Sequence, residues 1–186
     1  MRVVSSVDPA VEFRRLDRTD LSRVGEIDRT ERIGVLYEQH GVDLAARRGE
    51  WSAPAWDAHG HGEHSVASQA HALEHYVNAG AISLGAFADG RLVGIAVVVL
   101  HVRPGIAQLA YLHVSALSRA TGVGSRLCAQ IEQIARAADD AEMVVSATPS
   151  ENAMRFYLGR GFQPMKEPLA ELFALEPDDV HMYKFL

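Results

Sequence analysis

Arg119-Ala-Thr-Gly122-Val-Gly124-Ser125 joins an apolar run over 109–114 to an amphipathic segment over 123–138. The run reads as a strand. The segment reads as a helix, with Val123, Leu127, Ile131, Ile134, Ala135 and Ala138 on one stripe and Arg126, Gln130, Gln133 and Arg136 off it. Such a helix packs on a sheet. Its first turn leaves backbone N–H groups without partners inside the helix, aligned along a dipole that favours negative charge. Gly122 and Gly124 let an anion approach the backbone closely, and Arg119 adds a fixed charge nearby. Strand, glycine turn and helix start together predict a cradle for phosphate oxygens, spanning Arg119, Ala120, Thr121, Gly122, Val123, Gly124 and Ser125. It is neither a dinucleotide fingerprint nor a P-loop. Leu127 stands where the third glycine of G-x-G-x-x-G belongs, and no lysine follows as G-x-x-x-x-G-K-[ST] requires.

Downstream, 144–147 reads as a strand and is followed by Ser150-Glu-Asn152-Ala-Met-Arg-Phe156-Tyr157-Leu-Gly-Arg-Gly161-Phe162. The first stretch resembles the Arg/Gln-x-x-Gly-x-Gly/Ala signature of the GNAT superfamily of N-acetyltransferases, matched by Arg119, Gly122 and Gly124. The second is similar to that superfamily's N-x-x-A-x-x-F-Y-x-x-x-G-F pattern, with Phe156-Tyr157 as the aromatic pair. Two signatures in the right order, about 30 residues apart, are far more specific than either alone. They cover 106–164; the first hundred residues match in general layout only.

The resemblance implies acetyl-coenzyme A as acetyl donor, no metal, and an α/β fold in which helices pack on a mixed central sheet whose middle strands splay apart. It also implies roles for residues. The backbone of Leu112, His113 and Val114 would run beside the pantetheine arm, and an N–H there would polarise the thioester carbonyl. Asn152 would lie beside the same arm, its other reading being a solvated first-turn residue; Phe156 is a candidate contact there but reads more as a core residue. Tyr157 would protonate the departing thiolate, since a phenol with pKa near 10 stays protonated at neutral pH. From helix pattern alone, a tyrosine here is a core residue.

The substrate ammonium needs a base, and the strand before the cradle offers none. Gln108 stands near the place where some family members carry a glutamate or histidine, and an amide takes no proton. His113 shares the strand, but period-two alternation turns it away from Gln108, so it reads as a packed histidine. Asp28 and Glu31, three apart, would share a helix face and attract the amine. Trp51 and Trp56 are candidates for walling the acceptor pocket.

A chain of 186 residues, 48% hydrophobic, is long enough for one core of ordinary size, and one domain over 1–186 is expected. A net charge of −6 without a Lys/Arg cluster argues against nucleic acid and favours cationic partners. The single cysteine, Cys128, forms no internal disulfide and reads as an inert core thiol. No apolar run approaches the roughly 18 residues of a membrane span, and the start lacks a secretory core, so a cytoplasmic protein is expected. The acceptor is a small-molecule or peptide amine of unnamed identity. The resemblance allows a homodimer through the late strands, although no residue here argues for it.

Along the chain, a strand over 11–16 precedes helical segments capped at 17–20 and running through 46, then a loop over 51–65 rich in Ala, Gly, His and Pro. A helix over Val66–Asn78 leads to a hairpin, 82–88 and 92–100, across Asp89-Gly90. After Ile106–Val114 and the cradle helix come the strand over 144–147, a helix over 151–158, and strands over 162–165 and 180–185. Two rival functions remain open. His71-Ala-Leu-Glu74-His75 matches the H-x-x-E-H signature of inverted zinc peptidases, and His59, His61 and His64 also have metal-like spacing. A sensor that binds acetyl-coenzyme A without turnover would retain 119–125 and lose the acid, which is present as Tyr157.

Overall fold

The computed structural model describes residues 10–186. β1 (Glu12–Arg15) leads into a capping box: the Asp17 carboxylate accepts from the Thr19 and Asp20 N–H groups, and the Asp20 side chain accepts from the Asp17 N–H. The helix that follows is 3₁₀ and short, Arg18–Glu26. The expected helical run to 46 is therefore wrong beyond that point. The chain instead forms an antiparallel hairpin of β2 (Glu31–His40) and β3 (Asp43–Ala53). Ile33, Val35 and Tyr37 recur at every second position of β2 and suit a pleated ribbon, and Gly41, at φ +62°, supplies the two-residue turn.

A lone hairpin is marginal in water, and docking holds this one. The Tyr37 N–H donates to Pro149 O (2.8 Å), while the Gln39 amide donates to Met165 O (2.8 Å) and accepts from the His181 N–H (2.8 Å).

The main sheet contains β1, β4 (Ile82–Ala88), β5 (Arg91–Arg103), β6 (Ile106–Val114), β7 (Glu142–Ala147), β8 (Gln163–Pro164) and β9 (Val180–Phe185), in the order β1-β4-β5-β6-β7-β9-β8. Neighbours are antiparallel except β6 and β7. The parallel pair is joined only at Ile106–Glu142, Ala107–Met143 and Gln108–Val144. Beyond Gln108 the two strands separate, as the expected splay requires.

α2 (Val123–Ala137) and α3 (Glu151–Gly159, capped by Ser150) pack on one face of the sheet, where Leu127, Ile131, Met154, Tyr157 and Phe162 share a core with Ala96, Val98 and Leu109. α1 (Val66–Asn78, capped by Ser65) and the 3₁₀ helix bury Leu21, Val24 and Leu73 against Ile95 and Val97 on the other face. A short α4 (Ala170–Leu175) lies in a stretch to which the sequence reading assigned no element. Among the described residues no helix is long and apolar enough to cross a membrane.

Candidate active site

The cradle has the expected backbone. Gly122 is the N-cap of α2 at φ +92°, in left-handed territory that glycine occupies without strain, and no side chain caps the helix. Among the described residues, the α2 first-turn donors thus have no side-chain partner. A Cβ built on Gly124 would lie 3.4 Å from both Val114 and Phe156, so this glycine keeps open the space between the end of β6 and α3. Ala120, also at positive φ (+60°), and Thr121, whose hydroxyl donates to Ser118 O (2.7 Å), shape the approach to the turn.

Arg119 acts as a strut. Its Nε donates to Val114 O (3.1 Å) and its Nη1 to Thr30 O (2.9 Å), with Glu31 at 3.7 Å. The end of β6 is held again where the Asp28 N–H donates to Ser115 Oγ (3.0 Å) and the Ala116 N–H to Asp28 O (2.8 Å).

Asp28 and Glu31 do not share a helix face, because the helix has ended before both. Asp28 accepts from the N–H and hydroxyl of Thr30 in a local turn, which places its carboxyl below the usual range. Glu31 opens β2 and accepts from Asn152 Nδ2 (2.9 Å). Asn152, exposed in the first turn of α3, is thus tied to the hairpin. Sequence spacing gave no sign of that pair.

On β6, Ser115 N–H donates to Val93 O and His113 pairs with Ile95, so alternation points the backbone of Leu112 and Val114 toward the gap left by β7. The side chains follow a different rule from the expected one. Val97 pairs with Tyr111 and Val98 with Leu109, leaving Ala110 as a bulge. The extra residue resets the alternation. Leu109 and Leu112 both join the α2 face, whereas Gln108 and His113 lie on the same opposite face rather than on different ones.

His113 is packed, as expected, between Trp56 (5.3 Å between centroids) and Tyr111 (4.7 Å). Burial, assisted by the charges of Arg29 and Arg119, lowers its pKa to about 4. The Arg29 guanidinium lies over Trp56 at 4.6 Å, and the Tyr111 hydroxyl donates to Gln69 (2.7 Å). Trp51, by contrast, lies under Arg47 on its own hairpin.

Tyr157 is 7% exposed, edge-on to both Phe156 and Phe162. Burial raises its pKa, and the charges of Cys128 and Asp179 add to this, so the phenol holds its proton throughout the neutral range. Cys128 is buried and pushed up to about 11 by burial, consistent with an inert thiol. His71, Glu74 and His75 stand exposed on α1, and among the described residues no three metal-ligating side chains converge. The sequence reading missed a cavity of about 600 Å³ between the β2–β3 hairpin, the link from β7 to α3 and the segment around α4.

A family model described as an acetyltransferase (GNAT) domain matches residues 55–172, which include the cradle, the splayed strands and α3. The chain belongs to the GNAT acetyltransferase family. It is therefore an acyltransferase by family. No curated protein sequence matches it significantly. Among solved structures, the domain is similar to nourseothricin acetyltransferase (TM-score 0.69, 15% identity, covering 94% of this chain and 96% of that one). It is also similar to a candidate streptothricin acetyltransferase from Bacillus anthracis strain Ames in complex with acetyl coenzyme A (0.68, 19%, 94% and 96%). A third is the PaiA N-acetyltransferase of Thermoplasma acidophilum in complex with coenzyme A (0.61, 17%, 95% and 99%). These likenesses establish the GNAT fold over nearly the whole chain.

Proposed function

We propose that this GNAT domain moves the acetyl group of acetyl-coenzyme A to a primary amine by direct attack while both substrates are bound. The observation that carries the reading is the open gap between β6 and β7 beyond Gln108, with a glycine N-cap opening α2 beside the end of β6. The first-turn N–H groups of Val123, Gly124 and Ser125 hold the pyrophosphate, with Ala120, Thr121 and Gly122 shaping the loop. Acetyl-coenzyme A supplies an activated thioester. A backbone N–H of Leu112 or Val114, turned toward the gap, polarises its carbonyl, and His113 between them fixes the strand to β5.

Phe156 and Asn152 flank the pantetheine arm, and Arg119 holds the 28–31 segment against the cradle. Tyr157 gives its proton to the thiolate as the C–S bond breaks. Glu31, beside Asn152, and Asp28 contribute negative charge near the amine's entrance.

A panel of primary amines tests the reading: an alkylamine, lysine, a polyamine, a dipeptide and nourseothricin, each incubated with acetyl-coenzyme A. Amine-dependent release of free thiol, with the amine gaining one acetyl group by mass, is expected for at least one. Thiol release equal with and without every amine contradicts it.

A further inference from the structure

The acceptor's proton needs a destination, and neither Gln108 nor the neutral His113 provides one. The cavity of about 600 Å³ lies on the sheet face opposite α2: His181 and Ser146, bonded to each other at 3.2 Å, alternate with β7 and β9 residues that belong to the α2-side core. Tyr37 and Gln39 of the hairpin, Pro149 and Phe173 line it together with His181. Asp179 lines it as well, immediately before Val180, which pairs with Ala147 at the end of β7. It is thus one residue from the register position where β7, already parted from β6, enters the loop to α3.

We propose that this cavity receives the acceptor, a small molecule bearing a primary amine, and that the Asp179 carboxylate is the base that takes the ammonium proton. The inference rests on the acetyl-transfer reading above. Asp179 takes one proton from the ammonium, the freed amine forms the C–N bond at the thioester carbonyl, and the C–S bond breaks. Tyr157 protonates the sulfur and regains a proton from the acylated nitrogen, and Asp179 returns its own to solvent. One thioester and one ammonium thereby give one amide, one thiol and one proton.

Asp179 is suited to the exchange. Burial, with the charges of Glu176 and Asp178, raises its pKa to about 7, and among the described residues no hydrogen bond holds its carboxylate in the charged form. The groups around it are Glu176, whose carbonyl accepts from the Asp179 N–H, Asp178, and His181, which burial keeps below its usual value. Glu38, Arg47 and Lys166 stand on the cavity wall and set its wider field.

The test compares Asp179→Asn with the wild-type chain, using the best amine of the panel, by kcat/KM against pH. The wild type should rise through about pH 7 to a plateau. The variant should lose that limb and fall by about 10²-fold, within the range for a lost general base. Acetyl-coenzyme A should still raise its melting temperature. With a carboxylate of raised pKa removed, the variant should melt higher than wild type at pH 8 and no higher at pH 4, because a raised carboxyl pKa costs stability only once the group ionises. An unchanged limb, or kcat/KM within threefold of wild type, overturns the assignment while leaving acetyl transfer intact. A wild-type chain that acetylates no amine overturns the transfer reading, and this inference with it.

Discussion

At Tyr157 the structure and the proposed chemistry pull in one direction. The ring is a core residue, edge-on to two phenylalanines, and the same burial keeps its hydroxyl protonated at any pH the reaction uses. A donor that meets sulfur only as charge develops stabilises the transition state more than the bound thioester. Tyr157→Phe should therefore lower kcat by about 10²-fold or more while KM for acetyl-coenzyme A changes little. Steady-state kinetics with an acceptor whose chemical step limits turnover checks this; kcat within about threefold of wild type removes Tyr157 from the mechanism. Gly124 makes a complementary case. A valine there would push branched carbon into the space between Val114 and Phe156, so Gly124→Val should lose acetyl-coenzyme A binding in calorimetry while its circular dichroism stays native. Undiminished binding would contradict the cradle.

Among the elements, α2 is held at its far half by charge. Burial would raise the Glu132 carboxyl, but hydrogen bonds from Arg160 (2.8 Å) and Lys184 (2.9 Å) outweigh it and bring the pKa below the ordinary range. Glu132→Ala leaves two half-buried cations facing each other and should cost about 3 kcal/mol in urea unfolding at pH 7. The lowered pKa makes this stabilisation present above the usual carboxylate range and lost as pH falls through the folded value, so the two proteins should converge in stability under acid. A cost below about 1 kcal/mol at pH 7 would show that the cluster is solvated.

α1, β4 and β6 were legible to the residue because apolar period, caps and the Asp89-Gly90 turn agreed there. The hairpin at 31–53 was not. Asp17–Asp20 signalled a helix start with nothing obvious to end it, and what stabilises β2 and β3 is docking onto Pro149, Met165 and His181, more than 100 residues away. The bulge at Ala110 carries no local signal either, since only the register with β5 reveals it. Of the candidate site, the cradle and Tyr157 were legible from short motifs. The cavity and Asp179 were not, because its walls come from three parts of the chain far apart in sequence and Pro177-Asp178-Asp179 alone resembles any acidic turn.

Across the whole molecule, one ligand should contribute to the native state's stability. The proposed site for acetyl-coenzyme A is a gap that exists only when β6 and β7 are aligned and then parted, with α2 packed on the same sheet. A ligand specific for the folded chain stabilises it by RT ln(1 + [L]/Kd), about 2.7 kcal/mol at a hundredfold excess over Kd. For a chain of this size each kcal/mol moves the midpoint by roughly 2–4 °C. The most direct test is thermal unfolding with and without saturating acetyl-coenzyme A, alongside ATP and NAD at the same concentration. The account predicts a rise of about 5–10 °C with acetyl-coenzyme A and little with the other nucleotides. No rise, or an equal rise with all three, would contradict it.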